Sequence, residues 1–196
     1  MGFDLFGLNP KLKSEKPATV DYRNSTEEER AEFFEKMEKF EKENKGYYFR
    51  NNVWWWRPLA NYIIDHTGCV DRDDEDKWHE NGGHEVDEET AKMIAQQLKH
   101  LVSTGHTDNF AKEHMDEYEK ATLHNEAVEK KMQEFQEQMD KKYGRDIAPA
   151  NYNADDYKIW NSIYSMKNWK ASYPFNVDNV KEFAEFAEES GGFTIC

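Results

Sequence analysis

The chain has 196 residues, enough for one domain or a domain with an appendage. Its net charge is −14, from 40 acidic and 26 basic residues, which disfavours direct binding to nucleic acid or to an anionic membrane, since both need clustered Lys and Arg. Only 37% of residues are hydrophobic, but six Trp, ten Tyr and twelve Phe argue against disorder and predict a core built from rings.

In chain order, residues 3–8 read as a short strand ending at Asn9-Pro10, and residues 10–24, with Pro10 and Pro17, as a loop. Ser25 and Glu28 have capping-box spacing and open a helix that runs to Gly46. Phe33, Phe34, Met37 and Phe40 form its apolar stripe. Four Glu–Lys pairs at i,i+4 spacing, from Glu32–Lys36 to Glu41–Lys45, mark a solvated face. Residues 47–56 begin as an extended segment, and Pro58 is expected near the first turn of the next helix, which Gly68 stops. Residues 69–86 are predicted to be a loop, and Asp87 caps a helix running to about Ser103.

A long helix is predicted from Asn109 to Tyr143, carrying Val128, Met132, Phe135 and Met139 as a heptad seam. That seam has two available partners, this chain or a second copy, so a homodimer stays open. Residues 145–154 read as a loop, and Asp155 starts a further helix with Ile159, Trp160, Ile163 and Tyr164 apolar. Asn176 caps the last helix, which ends at Gly191-Gly192. The final Phe193–Cys196 segment reads as a strand whose natural partner is the N-terminal one. The fold class is therefore mainly α, about six helices including one long one, with a small sheet joining the two chain ends. Residues 1–196 are taken as a single domain.

Three pieces, MGFDLFGLNPK at the start, YYFRNNVWWWRPLANYI with NGGHE in the middle and YPFNVDNVKEFAEFAEESGGFTIC at the end, resemble a family of tailed-bacteriophage proteins with no assigned chemistry. The likeness covers the ends and positions 46–107, about half the chain, and makes 25–45 and 109–143 helical insertions on the family core. It implies an accessory protein working in the cytoplasm of the infected host. Some relatives carry Cys-x-x-Cys pairs in the second half; this chain has none there.

Three constellations are candidates for chemistry. Arg50, Asn51, Asn52, Trp54, Trp55, Trp56 and Arg57, with His84, combine guanidinium forks, stacking faces and polar edges suited to a small phosphorylated or nucleotide-like molecule. Three consecutive Trp cannot share one face, so at least one lies at the surface or lines a cavity; core anchoring, with the arginines paired to acids, is the competing reading. His66, Cys69, His79 and His84 loosely imitate zinc-ligand spacing, but the central gap is short; otherwise His66 favours a helix C-terminus and the others are loop residues. His79 and His84 are also candidates for general acid or base catalysis, although no nucleophile motif accompanies them. The acidic run Asp71–Asp76 fails the calcium-loop pattern and reads as a solvated loop.

Two cysteines, Cys69 and Cys196, make no disulfide framework and fit a reducing compartment. The start lacks a signal-peptide pattern, and no apolar run approaches the ~20 residues that span a bilayer. The leading expectation is a binder of a small phosphorylated ligand, sequestering or hydrolysing a host defence signal, with no cofactor. The alternative is an acidic inhibitor or DNA mimic that docks on a basic host protein; a zinc-supported structural module is the third.

Overall fold

A computed structural model of the chain describes residues 2–145 and 147–196. These form two compact units, one of residues 2–111 with 175–196 and one of residues 112–174.

The first unit is a four-stranded antiparallel sheet with helices on one face. Its elements are β1 (Gly2–Gly7), α1 (Glu27–Glu43), β2 (Tyr48–Asn52), α2 (Val53–Thr67), β3 (His84–Val86), α3 (Glu88–Ser103), the start of α4 (His106–Tyr143), and, after the second unit's α5 (Ala154–Tyr164), α6 (Val177–Glu189) and β4 (Phe193–Ile195). The strand order is β2-β1-β4-β3. The expected pairing of the chain ends is present: Leu5 lies opposite Ile195 and Gly7 opposite Phe193. The sheet also recruits β2 and β3, with Leu5 opposite Phe49 and His84 opposite Ile195.

Strand alternation decides the two faces. Phe3, Leu5, Phe49, Val86, Phe193 and Ile195 point to the core and are buried, whereas Asp4, Phe6, Tyr48, Arg50 and Thr194 share the opposite face. Trp56 from α2 stacks on Phe3 at 5.4 Å and on Trp78 at 6.1 Å, and Phe183 from α6 meets both indoles edge-on. Fully burying such rings is worth several kcal/mol in all, at roughly 1.5–3 kcal/mol for a large apolar side chain. α3 packs on α6 through Ala91, Ile94, Ala95 and Leu98 against Val180, Phe183, Ala184 and Ala187, all essentially without solvent contact.

Helix starts follow the sequence closely. Asp87 and Asn176 cap α3 and α6 as expected. At α1 the capping box is formed one residue later, by Thr26 and Glu29, because Ser25 is held instead by the Arg30 guanidinium. At α2 the helix begins at Val53, five residues before Pro58, because the Asn52 carboxamide accepts the N–H groups of Trp54 and Trp55 and lets β2 pass straight into the helix. Pro58 therefore lies inside α2 rather than in its first turn, at a position where it supplies no N–H to the helix ladder. Residues 69–86 are more ordered than a loop. Arg72–His79 form a 3-10 helix anchored by buried Trp78, and β3 follows.

The second unit contains the rest of α4 and α5, with short 3-10 turns at Pro149–Asn151 and Trp169–Ser172. Asp146, within the predicted loop 145–154, lies outside the described residues. The heptad seam is closed by this chain: Phe135 and Met139 are buried with Tyr152, and Tyr143, Ile147, Trp160 and Ile163 pack around them. Asn153, rather than Asp155, caps α5.

Candidate functional site

The aromatic–arginine segment does not fold into one surface. Trp56 is fully buried in the core, Trp55 is half-buried and Trp54 is 44% exposed, the split that three adjacent Trp require. Asn52 is occupied as the α2 cap, and the Asn51 carboxamide donates to that of Asn179 on α6 at 2.9 Å. Arg50 points to the opposite face of the sheet, where its guanidinium sits 3.5 Å from the Asp4 carboxylate. Arg57 is exposed on α2, on the core side of the sheet. The sheet therefore separates the two arginines expected to hold one phosphate.

Arg50 lies instead at a groove of about 310 Å³ with Lys42, Lys45, Tyr48, Phe49 and Phe186, with Glu38, Glu41 and Glu182 also at its wall. The Tyr48 hydroxyl donates to Asp4, and its pKa is pushed up to about 12, first by burial and then by that bond. Lys42 is tied to Glu38 at 2.6 Å.

The histidines are likewise dispersed. His66 sits in the last turn of α2, its ring 4.9 Å from that of His106 and 5.3 Å from Phe110. Burial, then the neighbouring His106, hold its pKa below the ordinary histidine value. His79 has a buried Nδ1 that makes no hydrogen bond to the described chain; burial and then Arg57 lower its pKa. His84 faces the core side from β3, its Nε2 4.0 Å from Asp74. Only Cys69 and His84 of the four zinc candidates line the same cavity, and among the described residues no group of three or more His, Cys, Asp or Glu side chains is disposed to hold a metal ion. The Cys69 thiol donates to the Thr67 carbonyl at 3.4 Å.

What the fold does gather is carboxylate. The 3-10 helix and the β3–α3 segment come together around a small cavity of about 100 Å³ lined by Asp71, Asp74, Glu85 and Asp87, with Trp78 and Val86 behind them. Residues 71–89 hold ten acidic and two basic side chains, a local charge of −8 within the chain's −14. Nine of the ten acids are exposed and Asp74 is half-buried. The segment is fixed from beneath. The Trp56 indole donates to the Trp78 carbonyl at 2.7 Å, and the Asn81 carboxamide donates to the Gly2 carbonyl at 2.8 Å. Asp87 is consumed as the α3 cap, accepting from the Thr90 N–H and hydroxyl at 2.9 and 2.8 Å, and its pKa is lowered by those bonds. Asp74 is lowered by its hydrogen bond to Lys77.

No family model matches the chain, and no curated protein or solved structure is significantly similar to it. Among the described residues no helix is long and apolar enough to cross a membrane.

A fixed, exposed concentration of carboxylates produces negative potential over one face, which attracts and orients a cationic partner. The sequence reading stopped this cluster at Asp76. The signal that extends it is the charge count itself, which stays acidic through Glu80, Glu85 and Asp87–Glu89 once Trp78 is recognised as the anchor between the two halves. Lys42 and Lys45, beside Arg50, were also missed, because in sequence they belong to a regular series of helix ion pairs.

Proposed function

We propose that the chain is a bacteriophage accessory protein that works in the cytoplasm of the infected host by docking its acidic surface on a basic host protein, as an inhibitor or DNA mimic. The observation that carries this reading is the acidic face of residues 71–89, where a local charge of −8 is mounted on ordered backbone rather than on a flexible tail. Charge carried on ordered backbone avoids the cost of ordering the chain on binding. The phage setting rests on the resemblance of the start, middle and end of the chain. The test is affinity capture from host extract with the parent protein and with an Asp73→Asn/Asp76→Asn/Glu89→Gln variant. A basic protein retained by the parent, released by salt and lost by the variant supports the reading. Retention that ignores both salt and the substitutions overturns it.

A second reading, a small phosphorylated ligand, is favoured by the groove at Arg50. Three cations meet there beside Tyr48, Phe49 and Phe186, and its volume of about 310 Å³ is of the size that small-molecule sites occupy. Calorimetry with nucleotides, comparing the parent with Arg50→Ala and Lys45→Ala, tests it: equal heats for parent and variants exclude the groove.

A further inference from the structure

Residues 15–25 run beside α1 as a strap fastened at both ends. At the near end Leu8 and Asn9 donate backbone N–H groups to Gly192 and Ser190, and the Lys13 N–H donates to the Asn44 carboxamide at 2.6 Å. Asn44 is 1% exposed, and its amide also donates to the Ser14 hydroxyl at 2.9 Å. At the far end the Arg30 guanidinium donates to the Tyr22 and Ser25 carbonyls at 2.6 and 2.9 Å, directly before the Thr26–Glu29 capping box. Between these anchors no backbone hydrogen bond joins residues 15–20 to any other described residue.

The strap and α1 enclose an open groove of about 870 Å³. Its apolar lining comes from Pro17, Ala18, Val20 and Phe33. Of the apolar stripe of α1 only Phe40 is buried; Phe33 and Met37 are half-buried and Phe34 is 57% exposed, with the Tyr22 ring of the strap 6.4 Å from Phe33 and 6.2 Å from Phe34. The charged lining is Glu15, Asp21, Glu29 and Glu32 against Lys16 and Lys36. Glu32 and Lys36 pair at 2.7 Å, Glu29 accepts the Thr26 N–H, Asp21 accepts from the Arg23 N–H and the Asn24 carboxamide, and Lys16 lies over the Tyr47 ring at 5.0 Å, so the lining keeps an excess of two carboxylates.

We propose that this groove binds an extended, basic segment of a partner protein, with apolar side chains on Val20 and Phe33 and Lys or Arg side chains on the acidic rim. Backbone groups of the strap that make no backbone hydrogen bond within the described residues are free to bond a peptide laid alongside, as in strand addition, and alternate side chains supply the selectivity. The strap is already tied down, so the groove exists before binding. This inference rests on the acidic-docking reading above and names the kind of segment recognised.

The experiment is fluorescence anisotropy with two labelled nonapeptides, one alternating Lys and Leu and the other Glu and Leu. The parent protein binds the lysine peptide and not the glutamate one. Val20→Asn and, independently, Glu15→Gln/Glu32→Gln weaken binding by about tenfold, the effect expected from a polar amide set under an apolar side chain or two lost charge contacts. Circular dichroism melting of each variant checks that α1 is intact, and Glu137→Gln on α4 controls for net charge. Binding unaffected by both groove variants overturns the groove. If Asp73→Asn/Asp76→Asn abolishes binding while the groove variants do not, the acidic-docking reading stands and the groove fails. No binding of the lysine peptide by any form of the protein sinks the groove, while the capture experiment on residues 71–89 continues to judge the broader reading.

Discussion

The indole N–H of Trp56 donates to the backbone carbonyl of Trp78 at 2.7 Å, and the two rings lie nearly parallel, 5° apart in plane. One bond thus fastens the segment bearing the acidic face to the helix that follows β2. Trp56→Phe keeps an aromatic ring but removes the donor, leaving a buried carbonyl unpaired. The expected loss is about 1–3 kcal/mol of unfolding free energy, seen as a lower midpoint in urea. An unchanged midpoint would mean that water or a shifted neighbour satisfies the carbonyl.

The sequence announced the elements better than it announced where side chains meet. The α3 and α6 caps and the long helix are local signals, carried by Asp87, Asn176 and apolar periodicity. The one-residue shift at α1 was invisible because Ser25 and Thr26 are both competent caps, and the choice is made by Arg30 reaching back to Ser25. The separation of Arg50 from Arg57 was equally hidden, since the path from β2 into α2 depends on Asn52 serving as the cap rather than as a binding group. Nearness in sequence suggested one site, and strand alternation divided it. The acidic face had the opposite history: its residues are spread over two segments, and buried Trp78 brings them together.

Gly46 sits at a close backbone crossing in the first unit. A Cβ at this position would stand 2.2 Å from the Glu189 carbonyl, and one at Gly7 would stand 2.1 Å from the Gly46 carbonyl oxygen. Both obstacles are backbone, which cannot rotate away. Gly46→Ala is expected to cost about 1–3 kcal/mol or more, the range of overpacked sites. Gly82→Ala, with no atom within 4 Å of the new methyl, is the matched control and leaves the thermal midpoint unchanged.

His66 is expected to make the first unit sensitive to mild acid. Its ring lies against Tyr62, His106 and Phe110, while the Tyr62 hydroxyl bridges His106 Nδ1 at 3.0 Å and Thr107 Oγ1 at 2.9 Å. Burial and the adjacent His106 lower the folded-state pKa of His66, so folding favours its neutral form. The resulting stability is complete above the ordinary histidine value and is lost as pH falls through the lower folded value. His66→Phe retains ring packing without titration. The drop in melting temperature between about pH 7.5 and about pH 5 is expected to be smaller in the variant than in the parent; equal drops would assign the acid sensitivity to other groups.

In the second unit Asp156 is the joint between α5 and the end of α4. Its carboxylate accepts from Lys142 at 2.6 Å and from the Tyr143 hydroxyl at 2.5 Å, and the same Tyr143 oxygen accepts the Asn153 N–H at 3.1 Å. The hydrogen bond from Lys142, then that from Tyr143, hold the carboxyl below its ordinary pKa. Folding therefore favours the ionised form, and its contribution is present above the unfolded Asp value of about 3.9 and disappears as pH falls through the lower folded value. Asp156→Asn keeps the shape but loses the charge. Hydrogen exchange over residues 135–160 is expected to be faster in this variant near neutral pH, with the difference from the parent closing as pH falls through the lowered folded value, where the parent carboxyl also loses its charge. A difference that persists unchanged in acid would show that the amide disturbs packing rather than the ionic joint.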